Sequence, residues 1–166
     1  MEDELLDIVD ENDIVIGTQL RSVVIIENRS SCRAIYGFIR NSKGDLWIPK
    51  RTAHKTSFPS CLDASVAGCV QAGEGYENGF IRELEEELNI RAQDVSYSCI
   101  AQLKPHLHGI SVFAHIYEIL SEQAPVYNPD DFVDYEWISP KDLREKLKQG
   151  TPAKPDLIKL ITLLYS

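Results

Sequence analysis

The segment from Gly68 to Ile90 constrains the fold of this 166-residue chain more than any other part of it. It reads GCVQAGEGYENGFIRELEEELNI, in which a glycine-containing segment leads directly into an amphipathic helix pattern. Residues three and four apart on a helix share one face, so Glu83, Glu86 and Glu87 crowd one patch and repel each other. A divalent cation would relieve that repulsion, and Mg²⁺ and Mn²⁺ prefer oxygen ligands. The segment therefore predicts a metal site on a helix.

The residues around this acidic stripe support the same prediction. Gly68 has no Cβ, so a main-chain carbonyl there can approach a cation held by the helix. Glu74 precedes the helix, where a carboxylate is favoured by the helix dipole, and a pair with Arg82 would tie the loop to the helix. The role of that pair would be to orient the metal-binding acids. A solvated acidic face is the ordinary explanation of a charge run, but it accounts for neither the glycines nor the position of Arg82.

The segment resembles the Nudix box, whose signature is G-x5-E-x7-R-E-U-x-E-E-x-G-U, with U a bulky aliphatic residue. The matching residues stand at the required spacings and are Gly68, Glu74, Arg82, Glu83, Leu84, Glu86, Glu87 and Ile90. Asn89 replaces a glycine of the signature after the last helical turn, where asparagine is the usual second choice for a left-handed residue. The resemblance implies an α/β (α+β) fold, a Nudix-like α/β/α sandwich with a mixed central sheet.

The resemblance also implies a chemistry. It indicates a metal-dependent hydrolase that cleaves a diphosphate linkage of a nucleoside diphosphate derivative or another small organic diphosphate, with Mg²⁺ or Mn²⁺ as cofactor. Glu86 and Glu87 would be metal ligands, and Glu83 would be either a ligand or the base that accepts the proton of the attacking water. Family members often add a fourth acidic ligand. The candidates are Glu118, Asp131 and Asp134, for which surface solvation is the alternative.

Two other functions remain open at this stage. The flanks DIVDENDIVIG, KGDLWIPKR and FPSCLDASVAG resemble the branch that contains isopentenyl-diphosphate isomerases and their hydrolase-like relatives. Such isomerases use a cysteine in an S-V-C-G-H motif, but this chain has Ala67 at the place of the cysteine and Cys69 at the place of the metal-binding histidine. A catalytically silent Nudix-fold binding module is the other alternative, although a pure binder would have no need for a self-repelling carboxylate stripe.

Basic and imidazole side chains supply the candidates for substrate binding. Lys50 and Arg51 precede a predicted turn and could receive phosphates, arginine through its fork of donors, or they could simply solubilise a strand end. His54 lies in that turn, in a region that commonly borders the substrate pocket of this fold. The other histidines are interpreted as exposed loop residues (His106, His108) and as a structural strand residue (His115).

Composition limits the class of protein. With 43 % hydrophobic and 26 % charged residues, the chain is expected to form a single domain over residues 1–166. A net charge of −9 argues against binding a nucleic acid duplex, whereas bound metal could neutralise a small diphosphate substrate. No apolar run is long enough for a membrane span and the acidic start lacks an export signal, which favours a cytoplasmic location.

The pattern along the chain predicts strands with two or three helices. An N-terminal hairpin is expected over about residues 7–17, and its outer strand could serve as the edge of a homodimer. The remaining predicted strands are 34–39, 45–49, 65–70, 95–102, 111–119 and 137–138. The predicted helices are 77–88, 141–148 with Ser139 as N-cap, and 155–163.

Overall fold

A computed structural model describes residues 2–27 and 29–166 of the chain. It contains eight strands and five α-helices over that range, together with short 3-10 turns. The strands are β1 Leu5–Val9, β2 Val15–Leu20, β3 Arg33–Arg40, β4 Leu46–Arg51, β5 Val66–Cys69, β6 Ser96–Leu103, β7 Phe113–Leu120 and β8 Phe132–Ile138. The helices are α1 Arg21–Glu27, α2 Tyr76–Leu88, α3 Pro105–His108, α4 Pro140–Lys148 and α5 Leu157–Leu164.

The central strand β3 lies in a mixed six-stranded sheet. Five strands follow the order β6-β7-β3-β4-β8, and the sixth, β5, also pairs with β3. Along one side it pairs with β7 in parallel over its full length. Its other side is divided, because Ala34 to Gly37 pair with β5 while Arg40 pairs with Leu46 of β4. The short strand β5 therefore lies at the centre of the fold, where β4 diverges from β3. Gly68 on β5 and the helix that follows it reach the sheet at this point.

The two faces of the sheet are covered by different helices. Alternate residues of β3 point to opposite sides, as the pleat requires. On one side Ile35 and Ile39 pack with Phe80 and Leu84 of α2 in a fully buried cluster. On the other side Phe38 belongs to a second cluster that includes residues of α4 and α5. This arrangement is an α/β/α sandwich with a mixed sheet, as predicted.

Helix α2 begins and ends close to where the sequence places it. Its last turn is closed by Asn89, which adopts a left-handed conformation with φ 52°. The amide of Asn89 donates to the carbonyl of Glu85 and the amide of Ile90 to that of Leu84, both at 3.2 Å. The interpretation of Asn89 as a substitute for glycine is therefore confirmed.

Several boundaries and two helices differ from the sequence prediction, which has neither α1 nor the single-turn helix α3, Pro105–His108. The N-terminal hairpin is present but longer than residues 7–17, with its strands at Leu5–Val9 and Val15–Leu20. Strand β8 begins at Phe132, whereas only residues 137–138 were predicted, because Asp134 and Glu136 interrupt its apolar pattern. Helix α1 was missed, since its sequence RSVVIIE is rich in β-branched residues, which favour strands.

The outer strand of the N-terminal hairpin is unusually exposed. Every residue of β2 is exposed, and the strand VIGTQL carries no charged side chain. Charges commonly protect such an edge from pairing with another chain. Dimerisation through this edge stays a prediction.

Within residues 2–27 and 29–166, no helix has the length and apolar character to cross a bilayer.

Ser65, immediately before β5, connects two other strands and allows a test of how β5 is held. Its buried hydroxyl donates to the carbonyl of Trp47 at 2.6 Å and accepts from the amide of Ile39 at 2.8 Å. We expect Ser65→Ala to lower the free energy of unfolding by about 1–3 kcal/mol, because two buried backbone groups lose their partner. Urea denaturation measures the change. Ser98→Ala, at an exposed position of β6, is the control, and similar losses in both variants would contradict the prediction.

Candidate functional site

The guanidinium of Arg82 joins three parts of the Gly68–Ile90 segment. Its Nε and Nη2 each lie 2.9 Å from a different carboxylate oxygen of Glu74, which makes a two-pronged ion pair. Nη2 also donates to the carbonyl of Cys69 at 3.0 Å, and Nη1 donates to Glu83 at 2.8 Å. Burial opposes the charge on Glu74, but hydrogen bonds from Arg82 and from the amide of Gln71 lower the pKa of Glu74. The predicted pair between Glu74 and Arg82 is therefore present and ties the loop to the helix, and Arg82 also ties β5 to the helix, which the sequence did not predict.

Gly68 permits an approach that no other residue type would allow. A Cβ at this position would lie 2.2 Å from Oε1 and 2.7 Å from Cγ of Glu83. The carboxylate of Glu83 therefore rests directly on the backbone of β5. The glycine of the segment is required by packing against an acidic side chain, in addition to any role of its carbonyl.

Glu83 and Glu87 lie buried one helical turn apart, facing β5. Glu87 accepts a hydrogen bond from the amide of Ala67 at 3.0 Å. Burial raises the pKa of both carboxyl groups, and each is raised further by acidic neighbours, although Arg82 acts in the opposite direction on Glu83. Because the two buried carboxyl groups lie this close, ionisation of both at the same time is unfavourable. A divalent cation between them would reverse that penalty, so the donor set fits a hard metal ion.

Glu86 completes the stripe in a different environment. Its side chain is 59 % exposed, and one oxygen lies 3.3 Å from Nη1 of Arg82. Nη1 therefore contacts both Glu83 and Glu86. Among the described residues, no group of three or more His, Cys, Asp or Glu side chains is arranged to hold a metal ion. Joint coordination by the stripe would require Glu86 to turn away from Arg82, which its exposure permits.

All three acids line one cavity of about 250 Å³. Of the candidates for a fourth acidic ligand, Asp131 also lines this cavity and forms an ion pair with Lys55 at 2.5 Å. Glu118 instead accepts from the hydroxyl of Tyr165 and pairs with Arg40, while Asp134 lines a separate surface depression. Asp131 is therefore the candidate that the fold brings to the stripe.

The predicted substrate-binding residues are separated by the fold. Arg51 lines the cavity, but its guanidinium donates to the carbonyls of Ser57 and Phe58 and to the carboxylate of Asp63. Those contacts hold the 57–58 loop and the strand end together. Lys50 lines the separate depression, and His54 is exposed in the turn. The roles of these three residues in substrate binding stay predictions, and only Arg51 borders the cavity.

Two positions bear on the isomerase alternative. Ala67 and Cys69 both line the cavity. Alanine offers no proton to transfer, and the Cys69 thiol is two residues away along the strand. Cys69 lies against Arg21, a neighbour that sequence reasoning did not identify.

His115 lies in strand β7 as interpreted, stacked on Tyr76 at 3.5 Å between ring centroids. The interpretation of His106 and His108 as exposed loop residues is wrong, because both lie on helix α3 and Nδ1 of His108 accepts from the amide of Lys104 at 2.9 Å, so that of the two only His106 is exposed.

The fold and site are those of an α/β/α sandwich with an acidic helix set against a glycine of its central sheet. The NUDIX domain family matches residues 31–161, and the chain belongs to that family. It is 45 % identical over 163 residues to an uncharacterised Nudix hydrolase of a Nostoc species, a match that covers 98 % of this chain and 96 % of that protein. A Nudix hydrolase of Deinococcus radiodurans is 40 % identical over 163 residues, covering 98 % and 95 %.

A solved structure agrees with the fold in detail. The crystal structure of DR0079 from Deinococcus radiodurans has a TM-score of 0.95 at 40 % identity, covering 98 % of this chain and 100 % of that one. Membership of the Nudix hydrolases implies hydrolysis of a small molecule, and enzymes of this family generally use divalent metal ions. The isomerase-like branch stays a prediction.

The contact between Gly68 and Glu83 can be tested by adding one methyl group. We expect Gly68→Ala to displace the Glu83 carboxylate while the protein still folds, because a flexible side chain can move aside. A displacement of about 1 Å at a catalytic group can cost roughly 100-fold in rate, so hydrolysis should fall by about that factor. Gly17→Ala, where a Cβ meets nothing within 4 Å, is the control. Unchanged hydrolysis in Gly68→Ala would show that the close approach has no functional role.

Proposed function

We propose that this protein is a Mg²⁺- or Mn²⁺-dependent hydrolase that cleaves the diphosphate linkage of a nucleoside diphosphate derivative or another small organic diphosphate. The observation that carries the proposal is the convergence of Glu83, Glu86 and Glu87 on one cavity beside the bare backbone of Gly68. Carboxylate oxygens with a main-chain carbonyl form a ligand set suited to these hard cations.

The residues that would hold the cation are Glu83, Glu86, Glu87 and the carbonyl of Gly68, with Asp131 as the additional acid. A divalent ion bound there supplies positive charge to phosphoryl oxygens and lowers the pKa of a bound water. The negative charge of a diphosphate would otherwise be repelled by the acidic stripe. Bound metal is therefore expected to raise the affinity for the substrate, and bound substrate to raise the affinity for the metal.

The chain's own contribution is orientation and proton handling. Arg82 holds Glu74 and the Cys69 carbonyl, so it ties strand β5, which carries Gly68, and the loop after it to the helix. Glu83 is the residue best placed either to coordinate the ion or to accept a proton from water, because it lies against Gly68 inside the cavity. Orienting the reacting groups in advance lowers the entropic part of the barrier.

The experiment compares the native protein and Glu86→Gln on a panel of nucleoside diphosphate derivatives and organic diphosphates with Mg²⁺ or Mn²⁺, and follows release of the two phosphorylated products of each diphosphate linkage, phosphomonoesters or phosphate, by phosphorus NMR or chromatography. We expect release in the native protein and a loss of roughly 100-fold or more in the variant, because an ion deprived of one carboxylate is misplaced. Glu85→Gln, one position away on the exposed side of α2, should retain activity.

Binding of Mn²⁺ followed by calorimetry gives a second measurement that is independent of turnover. Affinity should fall in Glu86→Gln and stay unchanged in Glu85→Gln. No release from any compound by the native protein, or equal activity in the two variants, would contradict the proposed function. Rearrangement of an isoprenoid diphosphate without phosphate release would favour the isomerase alternative instead.

A further inference from the structure

Positively charged side chains from outside the Gly68–Ile90 segment also line the cavity. They are Arg21, Arg51, Lys55 and Lys154. Arg51 is committed to two carbonyls and Asp63, and Lys55 forms a short pair with Asp131. Arg21 lies against Cys69 and Glu4, with its Nε 3.7 Å from Oε2 of Glu4. The environment of Lys154 is different.

The ammonium of Lys154 lies in a largely buried position without a hydrogen bond among the described residues. Its Nζ is 3.6 Å from Oδ2 of Asp63, beyond hydrogen-bond distance, and 5.8 Å from the ring centroid of Tyr36. Asp63 is already engaged at closer range, because Oδ2 accepts from Nη1 of Arg51 at 2.9 Å and Oδ1 from the amide of Ala64 at 2.8 Å. The donors of Lys154 therefore remain available to the cavity.

The charges around Lys154 also indicate that its ammonium is available to an anion in the cavity. Asp63 carries one negative charge and lies between two cations, Arg51 and Lys154. Arg51 and Lys154 thus bring two positive charges to this end of the cavity, whereas the α2 side has the acids Glu83 and Glu87. A cation held in a poorly solvated place is stabilised when an anion shares its charge. Asp63 accepts a hydrogen bond from Arg51 and makes only the longer contact with Lys154.

The position of Lys154 is fixed by the backbone on both sides of it. The amide of Leu62 donates to the carbonyl of Pro152 at 2.9 Å, and the amide of Lys154 donates to the carbonyl of Leu62 at 3.0 Å. These bonds attach the segment between α4 and α5 to the chain just before β5. Two residues further on, Asp156 accepts from the hydroxyl of Tyr36 at 3.3 Å. The lysine is therefore held in place before any ligand binds.

We propose that Lys154 binds a phosphate oxygen of the substrate's diphosphate group at the end of the cavity lined by Tyr36 and Lys154. This inference rests on the proposed function for the class of substrate, but it concerns a residue from the α4–α5 connection. Lys154 neutralises charge on the phosphate while the acids of α2 hold the metal. It thereby selects compounds whose phosphates reach both sides of the cavity.

The test measures binding of methylenediphosphonate, a diphosphate analogue that resists hydrolysis, by calorimetry in the presence of Mg²⁺. We expect Lys154→Met to weaken the Kd by roughly tenfold or more, because a hydrogen bond to a charged group is lost. Lys154→Arg should retain most of the affinity, since it keeps the charge. Lys148→Met removes an exposed lysine paired with Glu145 and should leave the Kd unchanged.

Packing effects are separated from charge effects by comparing variants. Urea denaturation establishes that each variant is folded, and Lys154→Gln replaces Lys154→Met if the latter does not fold. Affinity that is equal in the native protein and in the folded neutral variant would overturn the proposal. Absence of any binding of methylenediphosphonate by the native protein would also overturn it.

A kinetic measurement distinguishes failure of this inference from failure of the proposed function. With the diphosphate substrate found in the panel, Lys154→Met should raise KM at least about tenfold with little change in kcat, as expected for a contact made equally in ground and transition states. Native hydrolysis with an unchanged KM in the variant would overturn only the role of Lys154. No native hydrolysis combined with lysine-dependent binding would overturn only the proposed hydrolysis.

Discussion

The guanidinium of Arg82 is the contact on which the rest of the site depends. It spans Glu74 before helix α2, the carbonyl of Cys69 on β5 and the side chain of Glu83 inside the helix. A planar group with a fixed fork of donors can hold three partners at defined angles, which a lysine could not do. This contact therefore ties the strand that carries the glycine to the helix that carries the acids.

The site also shows how a protein can keep acids where burial disfavours them. Glu83 and Glu87 are buried on the side of α2 that faces the sheet. On the same side the apolar residues Phe80 and Leu84 are buried, and their burial stabilises the helix. The helix is held by that packing, so it can carry carboxylates that repel each other. Stability is thus carried by residues of this helix other than the acids that we propose to hold the metal.

Much of the fold was predictable because its signals are local. The periodicity of α2, the serine cap of α4 and the left-handed residue after α2 each depend on a few neighbouring residues, and Asn89 and Ser139 adopt the predicted roles. The misses have local causes too. Helix α1 is made of residues that favour strands, and it forms next to the hairpin in the folded chain. Its residue Arg21 consequently enters the cavity without any sequence signal.

The sequence by itself determined the family, the acidic stripe and the pair between Glu74 and Arg82, because these lie within one short segment whose spacing a helix converts directly into geometry. Only the tertiary structure decided which distant residues share the cavity. Arg51 is turned toward the 57–58 loop, Lys50 points elsewhere, and Lys154 arrives from the connection between α4 and α5 through backbone bonds to Leu62. No spacing rule relates residues so far apart, because their proximity is set by how the strands and helices pack.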